Sequence, residues 1–390
     1  MSDYLKYQIA LTLVPGIGDV NGKRLVSYCG GVEAIFMESR KALEKIPGMR
    51  ITTLDGIFSK DIMKRAEQEV DFVELHDIKP LFYLDEAYPK RLHECQDSPM
   101  MLYYKGNADL NKSRAVAVVG TRNITEYGRL NCENLVEDLV DDDVLLVSGL
   151  AYGVDSCAHR AAVKHHLDTV GVLGHGLHTV YPSSNRDLAK EMIQQGGLLT
   201  EYLGGVQPSK ESFPRRNRII AGMVDAVVVV ESAMKGGSLI TADIANSYNR
   251  DVFAYPGKTC DIFSQGCNYL IRTNRASLIE NAANLRYIMR WDCTAKKKVS
   301  QVKMFRDFTD EEKAIMDVFG DDMVASLDDM IVKTEISPTK LASLLLTLEF
   351  DGILMALVMA VGGMFAFGCL PPLMGYPALL EEIGPMNLRS

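Results

Sequence analysis

The segment AVAVVG, residues 115–120, decides the fold class of this chain. It is short, uncharged and rich in β-branched residues, as is typical of a strand buried on both faces of a parallel sheet. Helix-length stretches separate it from four later segments of the same character: VLLVSG (144–149), TVGVLG (169–174), AVVVVE (226–231) and DVFAYPG (251–257). This alternation predicts an α/β fold, a Rossmann-like doubly wound parallel sheet, across residues 113–290.

The region before this domain predicts a different architecture. Residues 1–75 are typical of a small helical domain of the helix–hairpin–helix or SAM-like kind, with a hairpin at VPGIG (14–18) and a weaker copy at 46–48. Glycines in such a hairpin expose amides that can hold a phosphate, although a plain tight turn explains the same residues equally well. Residues 76–112 predict a connector that contains one strand near Met100–Tyr104.

The composition changes beyond the α/β domain. Residues 291–305 predict a polar linker, and residues 306–352 predict three helices of a winged-helix-like module. Between Asp307 and Glu335 there are ten acidic residues and two lysines. Because the phosphates of duplex DNA would repel this charge, the module is predicted to contact protein.

Residues 353–390 form an atypical apolar tail. The run 353–370 reaches the length of a membrane-span candidate, but its three glycines and the following prolines make a membrane partner unfavoured. A winged helix should continue into a short polar β-wing, and the apolar composition predicts that this tail does not. A diverged end and a shifted reading frame would both produce such a sequence.

The overall composition limits the function classes. A net charge of −9 and a pI near 5.4 argue against the extended basic surface that coats duplex DNA, so any nucleic-acid binding must be local. Eight cysteines without a CxxC pair, and an N-terminus without a signal-peptide pattern, predict a reduced, cytoplasmic protein. Neither metal-ligand spacing nor GxGxxG occurs, so no metal and no cofactor is predicted.

The segment KESFPRRNRIIAG, residues 210–222, gives the clearest indication of a ligand. It holds four cations close together: Lys210, Arg215, Arg216 and Arg218. At the predicted start of a helix such positive charge is unfavourable unless an anion binds. Phe213 adds a stacking surface, and cations beside an aromatic ring are typical of single-stranded nucleic-acid sites. The competing interpretation is that the arginines pair with carboxylates while the following isoleucines pack in the core.

Small or cationic residues follow the predicted strands. Ligands of doubly wound sheets bind at the carboxyl ends of the strands, so these residues predict accessible amides and hydroxyls, with Arg122 suited to a phosphate. A glycine pair before a predicted helix offers a second anion-accepting loop. The residues are Gly120, Thr121 and Arg122, then Ser148 and Gly149, and finally Lys235, Gly236, Gly237 and Ser238.

Acidic and histidine side chains near the strand ends raise the alternative of catalysis. Asp155 and His159 have helical i, i+4 spacing, and Glu201 and Glu231 end predicted strands. No nucleophile is placed beside the first pair, and Ser148 lacks a GxSxG elbow. Structural roles are therefore predicted for all four residues, with Asp155 capping its helix.

Ordered motifs make the chain resemble the DprA/Smf family of DNA-processing proteins from Tyr88 to about Glu349. They include VAVVGTRNITEYGR, SGLAYGVDSCAHRAA, GVLGHGLHTVYP, FPRRNRIIAG and GGSLITA. The resemblance implies a Rossmann-like core that binds single-stranded DNA, forms a homodimer and helps to load the RecA recombinase during natural transformation. It implies neither a cofactor nor catalytic turnover.

The same resemblance implies a DNA pocket that coincides with the cationic segment. The family's pocket falls on Arg122, on Lys210 and Phe213, and on the residues of PRRNR, which adds Asn217 to the set. The backbone around Ser148-Gly149 belongs to the same motifs. Tyr152 stands where members often carry Arg, which removes one cation from the implied pocket.

The runner-up function is that of an enzyme with a related fold. Nucleotide phosphoribohydrolases of the lysine-decarboxylase-like group carry a PGGxGTxxE motif whose Glu acts in the chemistry. Residues 236–242 of this chain, GGSLITA, have no Glu at the corresponding turn. The sequence therefore favours a binding protein over this enzyme.

Overall fold

A computed structural model of the chain describes residues 2–291, 309–318, 324–350, 354–358 and 365–369. The chain divides into two compact units, Met1–Thr294 and Ala295–Ser390. Their boundary falls within the predicted linker at 291–305, most of which lies outside the described residues. Each unit has a hydrophobic core of its own.

The first unit contains nine strands: β1 (Lys79–Phe82), β2 (Met101–Gly106), β3 (Arg114–Val119), β4 (Val144–Ser148), β5 (Thr169–Leu173), β6 (Gly197–Thr200), β7 (Ala226–Val229), β8 (Asp251–Ala254) and β9 (Ser277–Leu278). They form one sheet in the order β1-β2-β6-β5-β4-β3-β7-β8-β9. All pairs from β6 to β9 are parallel, whereas the β1–β2 and β2–β6 pairs are antiparallel. The predicted α/β fold is confirmed, with an antiparallel extension at one edge.

The N-terminal helices form a cluster of their own within this unit: α1 (Ser2–Leu13), α2 (Asp19–Cys29), α3 (Val32–Met37), α4 (Arg40–Leu43), α5 (Ile51–Ile57) and α6 (Lys60–Leu75). Their buried side chains, such as Ile9 and Val70, share one core with Phe82 of β1 and Met101 of β2. Residues 76–112, predicted as a connector with one strand near Met100–Tyr104, contain that strand as β2 and a further strand, β1. These residues extend the sheet, because the helical cluster needs an apolar surface on which to pack.

Helices cover both faces of the sheet: α7 (Lys90–His93), α8 (Glu126–Asp138), α9 (Val154–Lys164), α10 (Arg186–Gln195), α11 (Ser212–Gly222), α12 (Gly237–Ser247), α13 (Gln265–Arg272) and α14 (Ala282–Met289). Along β3, Ala115 and Ala117 pack with α11, α12 and α13, whereas Val116 and Val118 pack with α8, α9 and α14. Alternate residues of a strand point to opposite faces, so a strand covered on both sides is apolar throughout.

The described residues of the second unit form three helices and three strands: α15 (Asp310–Asp317), β10 (Val324–Ser326), α16 (Leu327–Thr334), α17 (Pro338–Phe350), β11 (Leu354–Val358) and β12 (Phe365–Cys369). The three predicted helices are confirmed. Thr309 and Glu312 form a reciprocal capping box at the start of α15, and Ser326 caps α16. Ile315 and Leu345 belong to the core that the helices share.

Strands β11 and β12 lie within the apolar tail. They form an antiparallel hairpin, and β12 also pairs with β10. The expectation that the tail does not continue into a β-wing is therefore wrong for these strands, because backbone pairing in a hairpin does not require polar side chains. The remainder of the tail lies outside the described residues. In the part of the chain that the structure describes, no helix is long and apolar enough to cross a membrane.

Candidate nucleic-acid interface

The candidate site lies at the carboxyl edge of the sheet, where the chain changes direction. From β3 the chain continues through β4 and β5 to β6 on one side, and it then crosses to β7, β8 and β9 on the other side. The ends of β3 and β7 therefore lie side by side at the topological switch point, the usual ligand position in such sheets. Residues 120–122 leave β3 at this point.

Glu231, which follows β7, anchors the loop that carries Arg122. Its backbone carbonyl accepts a hydrogen bond from Thr121 N at 2.8 Å, and its carboxylate accepts from Thr125 N at 2.9 Å and from Thr125 Oγ1 at 2.5 Å. Thr121 O accepts from Val154 N at 3.1 Å. Glu231 is buried and thus has the structural role that the sequence favoured. The loop below Arg122 is held on two sides before any ligand arrives.

Arg122 and Phe213 come together above this edge. The Arg122 guanidinium carbon lies 5.9 Å from the centre of the Phe213 ring, and Arg122 is exposed. No ion pair joins Arg122 to a carboxylate of the described residues. Phe213 packs against Gly174 at the end of β5, where a larger residue would crowd the ring. Arg122, which has no carboxylate partner among the described residues, and Phe213, whose ring packs against Gly174, therefore share one surface, which we name the Phe213 surface.

A second aromatic residue, which the sequence did not indicate, extends this surface. The Tyr181 ring centre lies 5.7 Å from that of Phe213, and Tyr181 is about half exposed. Tyr181 also lines an adjoining cavity of about 430 Å³ together with Tyr152 and Arg186. Tyr181 and Arg186 are distant in sequence from the cationic segment. They join this surface because the fold brings the loop between β5 and α10 next to α11.

Arg216 has a structural environment. It is buried, and its Nη1 donates to Val172 O of β5 at 2.7 Å. Gly149 lies directly against the guanidinium, so that a methyl group at this position would overlap it. Burial lowers the pKa of Arg216 to about 10, an effect that the charge of Asp155 opposes. Arg216 therefore remains charged at neutral pH and holds α11 against the ends of β4 and β5.

Arg218 and Arg215 show the competing interpretation at work. The Arg218 Nη2 pairs with Glu201, lies 3.3 Å from Asp19 Oδ2, and its Nη1 donates to Asp97 O at 2.7 Å. Arg215 lies 3.6 Å from Glu201 but its side chain is 59% exposed. Arg218 therefore joins the first residue of α2 to the core, while Arg215 keeps donors that face solvent. Burial raises the pKa of Glu201, and the two arginines oppose that effect.

The other predicted residues of the cationic segment lie beside this network. Lys210 precedes α11, is exposed and forms no ion pair with a described carboxylate. Asn217 lies on α11 and is partly buried. The isoleucines Ile219 and Ile220 are buried in the core, as the competing interpretation held. The structure thus divides the segment into an outer part with Lys210 and Arg215 and an inner part with Arg216 and Arg218.

The groups predicted to be accessible at the end of β4 are covered. Ser148 is buried, and its Oγ donates to Val118 O at 2.6 Å. Gly149 N donates to Asp155 Oδ2 at 3.2 Å. The expectation of an accessible hydroxyl and amide is wrong, because neighbouring elements cover the residues that follow a central strand. A DNA contact by Ser148 or Gly149 stays a prediction.

The glycine-rich loop at residues 235–238 follows β7, and β3 and β4 separate β7 from β5, the strand that supports Phe213. It opens α12, which begins at Gly237, as predicted. Lys235 and Gly237 are exposed, Gly236 is partly buried, and the buried Ser238 donates to Ser232 Oγ at 2.8 Å. No hydrogen bond or ion pair among the described residues joins this loop to Arg122 or Phe213.

Comparison with known proteins fixes the family. Residues 79–289, more than half of the chain, match the family model described as DNA recombination-mediator protein A. The chain belongs to the recombination-mediator protein A family. The predicted resemblance to DprA/Smf proteins is thereby confirmed, and the phosphoribohydrolase alternative is not favoured.

Named members of the recombination-mediator family match over long stretches. DNA processing protein DprA of Streptococcus pneumoniae is 44% identical over 189 residues, 48% of this chain and 67% of the relative. Protein Smf of Synechocystis is 36% identical over 280 residues, 70% of this chain and 69% of the relative. The similarity thus extends beyond a single motif to most of the first unit.

Solved structures from the recombination-mediator family share this fold. The crystal structure of DprA from Streptococcus pneumoniae has a TM-score of 0.61 at 33% identity and covers 72% of this chain and 97% of its own. DprA from Helicobacter pylori, whose structure concerns its single-stranded DNA binding mode, has a TM-score of 0.51 at 30% identity and covers 55% of this chain and 96% of its own.

Asp155 and His159 do not form an acid–base pair in this structure. The Asp155 carboxylate accepts from Gly149 N and from Ala151 N at 3.3 Å. It therefore caps the turn before α9 rather than the helix itself, which corrects the predicted N-cap. His159 is buried, and its Nδ1 lies 2.7 Å from Thr169 Oγ1. Since Thr169 Oγ1 donates to Leu146 O, the ring Nδ1–H donates to Thr169.

His159 should make the stability of this protein sensitive to acid. Burial lowers its pKa from 6.5 to about 3 in the folded chain. Below pH 6.5 the unfolded chain binds a proton that the folded chain does not, so the free energy of unfolding falls by about 1.4 kcal/mol per pH unit. Urea unfolding at pH 6.5 and pH 4.5 should show a decline about 2–3 kcal/mol smaller for His159→Gln than for the wild type. Equal declines would contradict a neutral buried His159.

Proposed function

We propose that this chain binds single-stranded DNA at the Arg122 and Phe213 surface, protects it, and presents it to a RecA-type recombinase in natural transformation. The binding is independent of sequence, because phosphate contacts and base stacking do not read base edges. The proposal places the protein in the cytoplasm as a homodimer. Membership of a recombination-mediator family supports the recombinase contact, and the family resemblance supports the dimer.

The proposal rests on one observation: a cation without a carboxylate partner among the described residues lies beside an aromatic ring that packs against the end of β5. Arg122 lies 5.9 Å from the Phe213 ring centre, and Tyr181 continues the aromatic surface at 5.7 Å. Stacking on such rings stabilises a bound base whatever its identity, and the adjacent cation binds a phosphate. Stacking needs exposed ring faces, and Tyr181 is 49% exposed.

Arg122 and the cations of segment 210–222 have separate roles in this proposal. Arg122, Lys210 and Arg215 bind phosphates, because their side chains reach solvent. Arg216 and Arg218 position α11, since both are buried and both donate to backbone carbonyls of the core. For Arg218, which the family resemblance places in the DNA pocket, we propose this positioning role instead.

We propose a non-catalytic role for this surface. The groups that could serve acid–base chemistry are occupied: Glu231 holds Thr125, Glu201 pairs with Arg218, and Asp155 caps a turn. Incubation with nucleoside monophosphates, followed by chromatography for free base, tests the phosphoribohydrolase alternative. Release of base at an enzymatic rate would overturn the non-catalytic role.

Arg122→Ala and Lys210→Ala should each weaken the binding of an oligo-dT. The loss of one phosphate contact lowers the slope of log affinity against log salt by about 0.7 for a single strand, with roughly fivefold weaker affinity at low salt. Fluorescence anisotropy at several salt concentrations measures both quantities.

Lys164→Ala serves as the charge-matched control for this experiment. Lys164 is exposed at the last turn of α9, about 15 Å along the helix from the end that meets Thr121. Its removal changes the net charge equally but leaves the surface intact. Equal losses in all three variants would indicate a diffuse charge effect and would overturn the proposed site.

A further inference from the structure

Two turns in the N-terminal helices repeat one another in sequence and in backbone. Residues 14–18 and 46–50 each begin with an aliphatic residue followed by Pro-Gly, and this glycine has a positive φ in both, 83° at Gly16 and 86° at Gly48. Ile17 N donates to Val14 O, and the equivalent bond joins Met49 N to Ile46 O, both at 3.2 Å. The weak second copy in the sequence is therefore a structural repeat of the first turn.

The two turns face a common cavity of about 780 Å³, which we name the hairpin cleft. Its lining includes Gly16 and Gly48 from the turns, Arg24 and Tyr28 from α2, and Arg50. The turns are fixed relative to each other, because Thr53 Oγ1, on α5, donates to Pro15 O at 3.2 Å. The hairpin cleft is thus a defined surface of the helical cluster and is separate from the Phe213 surface.

The charge of the hairpin cleft is positive in a chain whose net charge is −9. Arg24 and Arg50 are exposed, and neither forms an ion pair within the described residues. The lining that the structure describes contains no Asp or Glu. Two nearby carboxylates, Glu44 and Asp55, are already paired with Arg40, at 3.5 and 2.7 Å. The cleft therefore presents two uncompensated guanidinium groups.

The backbone adds further donors to the hairpin cleft. The amides of Gly16 and Gly48 donate to no group among the described residues. Glycine at positive φ leaves its amide uncovered by a side chain, as in turns that hold phosphates. Tyr28, 66% exposed, adds an aromatic surface at the same cleft. The two arginines and the two glycine amides can donate hydrogen bonds to anions. Because they are separated over two turns, they suit an extended polyanion better than a single small ion.

We propose that the hairpin cleft is a second DNA site that binds backbone phosphates through Arg24, Arg50 and the glycine amides. The first turn is joined directly to the helix that carries Phe213, because Asp19, next to Gly18, lies 3.3 Å from Arg218 Nη2 of α11. DNA that extends beyond the Phe213 surface can therefore engage the cleft on the same unit. Single-stranded and duplex DNA share the backbone chemistry, and the probes below distinguish them.

The test uses the full chain with both arginines replaced, Arg24→Ala/Arg50→Ala, and three fluorescent probes. These are a six-nucleotide oligo-dT (the hexamer), a thirty-nucleotide oligo-dT and a thirty-base-pair DNA duplex. Lys60→Ala/Lys64→Ala is the matched control, because both lysines are exposed on α6 and neither lines the cleft. Binding is measured by anisotropy over a salt series, and thermal unfolding confirms that each variant is folded.

We expect the cleft variant to bind a long probe about 25-fold more weakly at low salt, with a slope reduced by about 1.4 for the single strand or 1.8 for the duplex. The hexamer should bind as it does to the wild type, because the Phe213 surface is unchanged in this variant. Whichever long probe shows the loss identifies the natural ligand as single strand or duplex. Long-probe binding equal to that of the lysine control would overturn the second site.

Failure of the proposed function has a different signature in the same experiment. If Arg122→Ala leaves hexamer binding unchanged while the cleft variant still weakens a long probe, the cleft stands and the Phe213 surface falls. A cleft variant that weakens the hexamer as strongly as the long probes would contradict a separate second site.

Discussion

Arg216→Ala should lower the free energy of unfolding of the first unit by about 3–5 kcal/mol, the usual cost of leaving a buried charge uncompensated. Its guanidinium is buried against Gly149 and donates to Val172 O at 2.7 Å. Removal leaves the Val172 carbonyl without this donor and leaves the buried Asp155 without a nearby countercharge. Urea unfolding followed by circular dichroism at pH 7 measures the change.

Arg215→Ala is the matched control for this prediction. Arg215 is the preceding residue, but its side chain is 59% exposed, so its loss should change stability by less than about 1 kcal/mol. The double variant Arg216→Met/Asp155→Asn should recover part of the loss, because it buries no unpaired charge. If Arg216→Ala is as stable as Arg215→Ala, the positioning role of Arg216 is wrong.

Phe213→Ala should weaken the binding of oligo-dT by about 1–3 kcal/mol, which is roughly 5- to 150-fold, because one stacked base loses its ring. The salt slope should stay that of the wild type, since no phosphate contact is removed. This separates Phe213 from Arg122, whose loss changes the slope. Anisotropy over the same salt series measures both effects.

Phe213→Tyr tests whether stacking is the cause. A tyrosine ring retains the stacking face and should restore most of the affinity. Thermal unfolding of Phe213→Ala accounts for any loss of support against Gly174. An alanine variant that binds as tightly as the wild type would show that the strand lies elsewhere on the molecule.

The α/β core could be predicted from sequence because its signals are local. A strand buried on both faces must be apolar at successive positions, and β3, β4 and β5 each satisfy this within six residues. The antiparallel edge could not be predicted in this way. Strands were predicted near Met100–Tyr104 and before Glu201, but local sequence does not record that β2 pairs with β6 across about ninety residues of chain.

The tail shows a second limit of local reasoning. Its apolar composition was evident, and it indicated either a membrane span or a departure from the winged-helix pattern. Strands β11 and β12 instead pair with each other and with β10. Pairing depends on whether a partner edge is available, which composition does not record.

By itself the sequence determined the fold class and the segment that carries the candidate site. It did not determine which of the four cations can reach a ligand. Successive residues of a helix are rotated by about 100°, so Arg215 faces solvent while Arg216 faces the sheet. Only the tertiary structure places Glu201 and Asp19 beside Arg218, and brings Arg122 and Tyr181 to Phe213. Charge and aromaticity belong to residues, whereas burial and pairing belong to the elements packed around them.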